Sequence, residues 1–148
     1  MTTIVYDHKN KQVALDSRIT AGNLIVTDEG SKHTEKDGEH WFFCGTTSDY
    51  DQLIELAHND KPEVLPDCSA IMVKNGEAWL ISFNGEYCSH CKMQASRGIG
   101  SGGEFAMCAL DFGKTAKEAV EYAITRDNGT GGKVHVYDIE NGEFVQCL

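Results

Sequence analysis

The sequence predicts an α+β domain in which two sheets of short strands carry helices on their outer sides. Two observations predict it. The elements run strands, helix, strands, two helices, strands, which is not the regular alternation of a βαβ fold. Three Asn-Gly pairs, Asn75-Gly76, Asn84-Gly85 and Asn141-Gly142, each mark a two-residue hairpin turn.

In chain order, Thr3–Tyr6 and Val13–Leu15 are rich in β-formers and flank a polar turn at 7–11. Asn23–Thr27 is a further strand, followed by a polar stretch through Gly38. The run Trp41–Cys44 is apolar throughout, as in a strand covered on both faces. Tyr50–His58 forms the first helix. Leu53, Ile54, Leu56 and Ala57 make its apolar face, and Ser48 with Asp51 forms an S-x-x-D start. Ala70–Val73 and Ala78–Ile81 pair about Asn75-Gly76. Two helices follow the glycines of 98–103, one over Glu104–Phe112 and one from the capping box Thr115-Ala116-Lys117-Glu118 towards Arg126. Val134–Tyr137 and Phe144-Val145 close the chain as a hairpin.

The 148 residues suit one domain, residues 1–148, with a single core. No apolar run reaches the ~20 residues of a membrane helix, and the first residues lack the basic and apolar parts of a signal peptide. A cytoplasmic protein without membrane contact is the expectation. The net charge of −10 argues against nucleic acid as a partner, because phosphate backbones bind Lys/Arg surfaces.

The six cysteines are expected to be reduced, with Cys44 and Cys108 buried as small hydrophobes. Cys88-Ser89-His90-Cys91 supplies too few ligands for a structural zinc, which needs about four, and is expected to be structural. No metal or other cofactor is expected.

The remaining features form an ordered set. It comprises Met1-Thr2-Thr3-Ile4-Val5, then Asp16–Asn23 with Lys32, Gly45–Asp49, Gly100-Ser101-Gly102-Gly103, and Arg126–Gly132. Singly, each member has a structural reading. Asp16 would cap a turn, Lys32 would be a solvated charge, and Ser101 would be a helix N-cap. Together, in this order and spacing, they resemble the proteasome β subunits and the HslV peptidase, over nearly the whole chain. That resemblance implies a four-layer αββα sandwich of the N-terminal-nucleophile hydrolases. Residues 50–69 have room for one short helix where the family fits two longer ones, so one outer helix is expected to be missing. Such compact members are expected in phage genomes.

The chemistry explains these residue types. A threonine hydroxyl is a weak nucleophile until a base takes its proton. Once Met1 is removed, the α-amine of Thr2 can be that base, since α-amines titrate near ~7.7–8.0. The resemblance implies that Lys32 depresses the pKa of that amine and that Asp16 orients Lys32. It gives Ser101 and Asp127 the amine and its water to hold, with the hydroxyl of Thr130 where the family often has serine. The N–H of Gly45 would form the oxyanion hole, and the main chains of Thr20 and Thr47 would pair with an extended peptide.

The expected activity is a threonine peptidase acting on peptides or unfolded proteins, in a homo-oligomeric ring docked by an unfoldase or another protein. If Met1 is retained, the amine of Thr2 is tied up as an amide, and a catalytically silent scaffold or assembly subunit is the alternative. An amidase acting on a small molecule would use the same residues.

Overall fold

A computed structural model describes residues 1–59, 65–83 and 85–146. The first hairpin pairs β1 (Ile4–Asp7) with β2 (Gln12–Leu15), Ile4 opposite Leu15. Alternate residues of a strand face opposite ways. Ile4, Tyr6, Val13 and Leu15 therefore point to one core, while Val5 and Ala14 point to another.

This hairpin is the middle of a five-stranded antiparallel sheet. Its order is β10 (Arg97–Ile99), β1, β2, β11 (His135–Asp138) and β12 (Glu143–Phe144). A second antiparallel sheet runs in chain order through β5 (His33–Lys36), β6 (Glu39–Gly45), β7 (Cys68–Lys74), β8 (Glu77–Phe83) and β9 (Cys88–Lys92). Between the two in sequence, β3 (Ile19–Ala21) and β4 (Leu24–Thr27) form a separate two-stranded ribbon.

The sheets face each other across Ile4, Tyr6, Val13 and Leu15 on one side and Phe42, Ile71 and Val73 on the other. Helices α2 (Gly103–Asp111) and α3 (Ala116–Ile124) cover the outside of the first sheet through Ala106, Ala109, Ala119, Val120 and Ala123. Small residues at these positions let both helices lie close to the strands. Helix α1 (Tyr50–Asn59) covers the second sheet, setting Leu53 and Ile54 on Trp41, Phe43, Ala70 and Met72. The order of layers is α2/α3, sheet, sheet, α1, which is the expected αββα sandwich. Among the described residues its fourth layer is a single short helix. No described helix is long and apolar enough to cross a membrane.

Several local expectations hold in detail. Lys74 pairs with Glu77 across Asn75-Gly76, and both turn residues have positive φ (52° and 76°), as a two-residue type I′ turn requires. The Thr115 hydroxyl accepts the Glu118 N–H at 3.1 Å and the Glu118 carboxylate accepts the Thr115 N–H at 3.1 Å, so both halves of the capping box are present. The strand β6 is enclosed on both faces.

Others are corrected. Cys108 is exposed. Its apolar neighbours in sequence are not its neighbours in space, because α2 buries the stripe Gly103, Ala106 and Ala109 and Cys108 lies off it. Asn141-Gly142 does not form a two-residue turn, since Asp138 pairs with Glu143 and four residues connect them. Ser48 does not start α1. It lies inside a 3-10 turn, Thr47–Asp49, whose N-cap residue Thr46 makes no side-chain capping bond. The polar stretch before Gly38 contains β5, an edge strand held by its ladder to β6 rather than by an apolar face. Along β9, Cys88 and Cys91 are three apart and so face opposite sides of the strand. Asn84 and Cys147 lie outside the described residues.

Candidate active site

The ordered residues all sit at the ends of elements, and the fold gathers those ends at one edge of the sandwich. Thr2 precedes β1, Asp16 follows β2, Lys32 precedes β5, and Gly45 ends β6. Ser101 lies between β10 and α2, while Asp127 and Thr130 follow α3.

Thr2 is buried, and its main chain is clamped from both sides. Its carbonyl accepts the Gly102 N–H at 3.3 Å, and the Ser101 hydroxyl oxygen lies 3.5 Å from it. The next N–H, that of Thr3, donates to Asp16 Oδ1 at 3.1 Å. Gly100 makes this approach possible. It has φ +88°, and a Cβ there would come within 2.7 Å of the Thr2 carbonyl carbon.

Lys32 Nζ lies 2.7 Å from Asp16 Oδ1, with side chains 1% and 0% exposed. A pair this dry stands or falls by its hydrogen bonds. The Asp16 carboxylate is well supplied: besides Lys32 and Thr3, its Oδ2 accepts the N–H of Gly131 at 3.0 Å and of Arg18 at 3.4 Å. Burial pushes the Lys32 ammonium below its ordinary range, opposed by the charge and hydrogen bond of Asp16. Lys32 Nζ also reaches the carbonyl oxygen of Met1, at 3.4 Å. The lysine therefore touches the Met1–Thr2 peptide bond.

A second network lies on the other side. Asp127 Oδ2 accepts the hydroxyls of Ser101 and Thr130, each at 2.6 Å, and its Oδ1 accepts the Gly129 N–H at 3.2 Å. Burial alone would raise the carboxyl's pKa, but these hydrogen bonds outweigh it and hold it below its ordinary value. The Thr130 hydroxyl spends its one proton on Asp127, so the Thr3 hydroxyl donates to Thr130, at 2.7 Å.

Thr2, Lys32, Gly45, Ser101, Thr20 and Thr47 line one cleft of about 800 Å³. Asp16, Asp127 and Thr130 stand behind its wall: Asp16 reaches it through Lys32, Asp127 through Ser101, and Thr130 through Asp127. Gly45 has φ +114°, and a Cβ there would fall 2.6 Å from the Asp67 carbonyl oxygen. Only glycine fits. Thr20 lies on β3 beside a break in register with β4, and its hydroxyl accepts the Met1 amine at 3.2 Å. Thr47 opens the 3-10 turn, and the extended backbone of this segment ends at Thr46. Chemically, the cleft sets a buried ammonium and a hydroxyl–carboxylate network about one threonine.

Solved structures share this architecture. HslV from Trypanosoma brucei matches with a TM-score of 0.74 and 23% identity, covering 91% of this chain and 97% of that one. The chain has the HslV fold. BPH from Thiobacillus denitrificans matches with a TM-score of 0.71 and 12% identity, over 92% and 96%. Its complex with epoxomicin matches with a TM-score of 0.68 and 12% identity, over 92% and 97%. At these identities the likeness is one of fold. No family model matches the chain, and no curated protein matches it.

Within the HslV fold, the structure adds residues that the sequence did not single out. Arg18 forms an ion pair with Asp28 at 2.8 Å and donates to the Asn128 carbonyl at 3.1 Å, tying the ribbon to the loop that carries Asp127. Cys44, Ser69 and Ser82 line the same cleft as Thr2. Only strand register joins these three, so no local motif could have marked them.

Proposed function

We propose that this chain is a threonine peptidase, a member of the proteasome β-subunit and HslV family. In this reading Thr2 becomes the N-terminal nucleophile when Met1 is removed. The observation that carries it is the position of Lys32, dry, paired with Asp16 and in contact with the Met1–Thr2 peptide bond. Removing Met1 turns that amide into a free α-amine beside a buried ammonium. Like-charge repulsion then favours the neutral amine, which is the form that takes the Thr2 hydroxyl proton.

The hydroxyl oxygen attacks a peptide carbonyl, and the developing oxyanion is held by the Gly45 N–H, a contact typically worth ~3–4 kcal/mol. The amine returns its proton to the leaving nitrogen, leaving an ester on Thr2. A water activated by the same amine hydrolyses that ester. Asp127 and Ser101 position the amine and this water, with Thr130 fixing Asp127. The main chains of Thr20 and Thr47 pair with an extended substrate. Peptides or unfolded proteins are the substrates, and the enzyme works in a cytoplasmic homo-oligomeric ring to which an unfoldase docks.

A second reading rests on Met1 itself. Its amine is held by Thr20, and its side chain packs against Gly129, where a Cβ would come within 2.5 Å of Met1 Cβ. With Met1 retained in this seat, Thr2 has no free amine and the chain serves as a non-catalytic assembly subunit.

One experiment separates the two. The purified protein is analysed by intact mass, then incubated with epoxomicin or a peptide boronate. The peptidase reading expects a chain beginning at Thr2 and an adduct on Thr2 that is lost in Thr2→Ala. Intact Met1 together with no adduct refutes it.

A further inference from the structure

The inner face of the second sheet changes character at its cleft end. Phe42, Ile71 and Leu80 are in register across β6, β7 and β8, and all three belong to the core between the sheets. Two residues nearer the cleft, and so on the same face, the register runs Cys44, Ser69, Ser82 and, on β9, Ser89. An apolar row thus gives way to one of a thiol and three hydroxyls.

The fold does not call for that change. An apolar residue at Ser69 or Ser82 would extend the core, whereas half-burying a hydroxyl costs free energy unless it finds a partner. Cys44 Sγ and Ser69 Oγ lie 3.1 Å apart, and one such bond leaves a hydroxyl with further donor or acceptor capacity. Cys44, Ser69 and Ser82 line the cleft that holds Thr2, with Tyr50, Pro66 and Phe83 as its apolar walls. Convergent polar groups set beside apolar walls are how a pocket fixes the orientation of one side chain.

Around Cys44 the charges narrow the choice further; the cleft is also lined by Asp67 and by Arg18, whose guanidinium is paired with Asp28. Burial keeps the Cys44 thiol neutral, and the Lys32 ammonium acts on it from nearby, which disfavours a cationic guest. An anionic guest would have to compete with Asp16 for Lys32. An uncharged hydrogen-bonding group meets neither obstacle.

We infer that Cys44, Ser69 and Ser82 form a subsite selecting an uncharged hydrogen-bonding side chain (Ser, Thr, Asn or Gln) in the bound peptide, an inference that rests on the peptidase reading above. The row discriminates by leaving its own hydroxyls unpaired when an apolar side chain of the same shape enters.

The test uses the full chain freed of Met1 and peptides matched as Thr/Val and Asn/Leu pairs at each position around the cut bond. The wild type is expected to prefer the polar member about tenfold in kcat/KM at one position, and Ser69→Ala/Ser82→Ala to bring that ratio near unity. The same pairs are titrated calorimetrically against the Thr2→Ala chain, with and without the two serine changes. Cleavage without a polar preference, or a preference that survives the double change, overturns the subsite while the peptidase stands. No cleavage, but a polar preference in binding that the double change abolishes, sinks the peptidase and supports the subsite. Equal binding of both members overturns the subsite.

Discussion

Replacing Lys32 with Met removes the ammonium but keeps most of the side chain's apolar bulk. Asp16 is left at 0% side-chain exposure without its counter-ion. Breaking a buried pair by deleting one partner typically destabilises by about 3–5 kcal/mol, because a charge is stranded away from water. Here the N–H groups of Thr3, Gly131 and Arg18 still hold the carboxylate, which places the loss near the lower end, about 3 kcal/mol. For a domain of this size each kcal/mol moves Tm by roughly 2–4 °C, so Lys32→Met should melt about 6–12 °C below the wild type. Lys92→Met is the control. Its bond to Glu77 is about as short, at 2.9 Å, but the side chains are 50% and 47% exposed. Exposed pairs contribute about 1 kcal/mol or less, so Lys92→Met should shift Tm by no more than a few degrees. Both are read by circular dichroism melts at neutral pH. Equal shifts in the two variants would refute the reasoning, because burial would then have no influence on what the ion pair contributes.

Two further outcomes follow from the geometry. Thr115→Ala deletes the N-cap hydroxyl of α3 and leaves the Glu118 N–H without its acceptor, so it should lower stability by about 1 kcal/mol, measured by urea denaturation. His33 is held mainly by burial, and further by His40, at about 4 against an ordinary 6.5, while Glu35 opposes the shift. Its ring contacts Phe42, His40, Tyr137 and Phe144, and its Nε2 lies 2.9 Å from His40 Nδ1. As pH falls below 6.5 the unfolded chain takes up this proton before the folded one, so the contribution of His33 is full above 6.5 and declines towards pH 4. Tm should therefore drop between pH 7 and pH 5, and the drop should be smaller in His33→Phe. An unchanged drop would show that His33 is not the titrating group.

Much of the fold was legible because its signals are local. The Asn75-Gly76 turn and the Thr115–Glu118 box are settled within four residues, and both form as the sequence predicts. The apolar run Trp41–Cys44 announced a strand covered on both faces because such burial leaves no polar alternation to confuse it. What stayed hidden depends on partners distant in sequence. β5 is a strand because β6 pairs with it, and nothing in His33-Thr34-Glu35-Lys36 is β-like by hydrophobic period. Cys108 looked buried from its neighbours, yet a helix shows one face at a time. Asn141-Gly142 has the composition of a tight hairpin, but the pairing of β12 with β11 leaves four residues to connect.

The sequence by itself determined the residue types of the site and their order. A threonine behind Met1, an Asp, a Lys, a Gly, a Ser and a second Asp are chemical facts of the chain. Only the tertiary structure decided that Asp16 and Lys32 are dry and 2.7 Å apart, that Ser101 and Thr130 converge on one carboxylate oxygen, and that Lys32 touches the Met1–Thr2 bond. The row Cys44–Ser69–Ser82 belongs wholly to that second kind, because strand register is set by which faces the sheets bury, not by any neighbour along the chain.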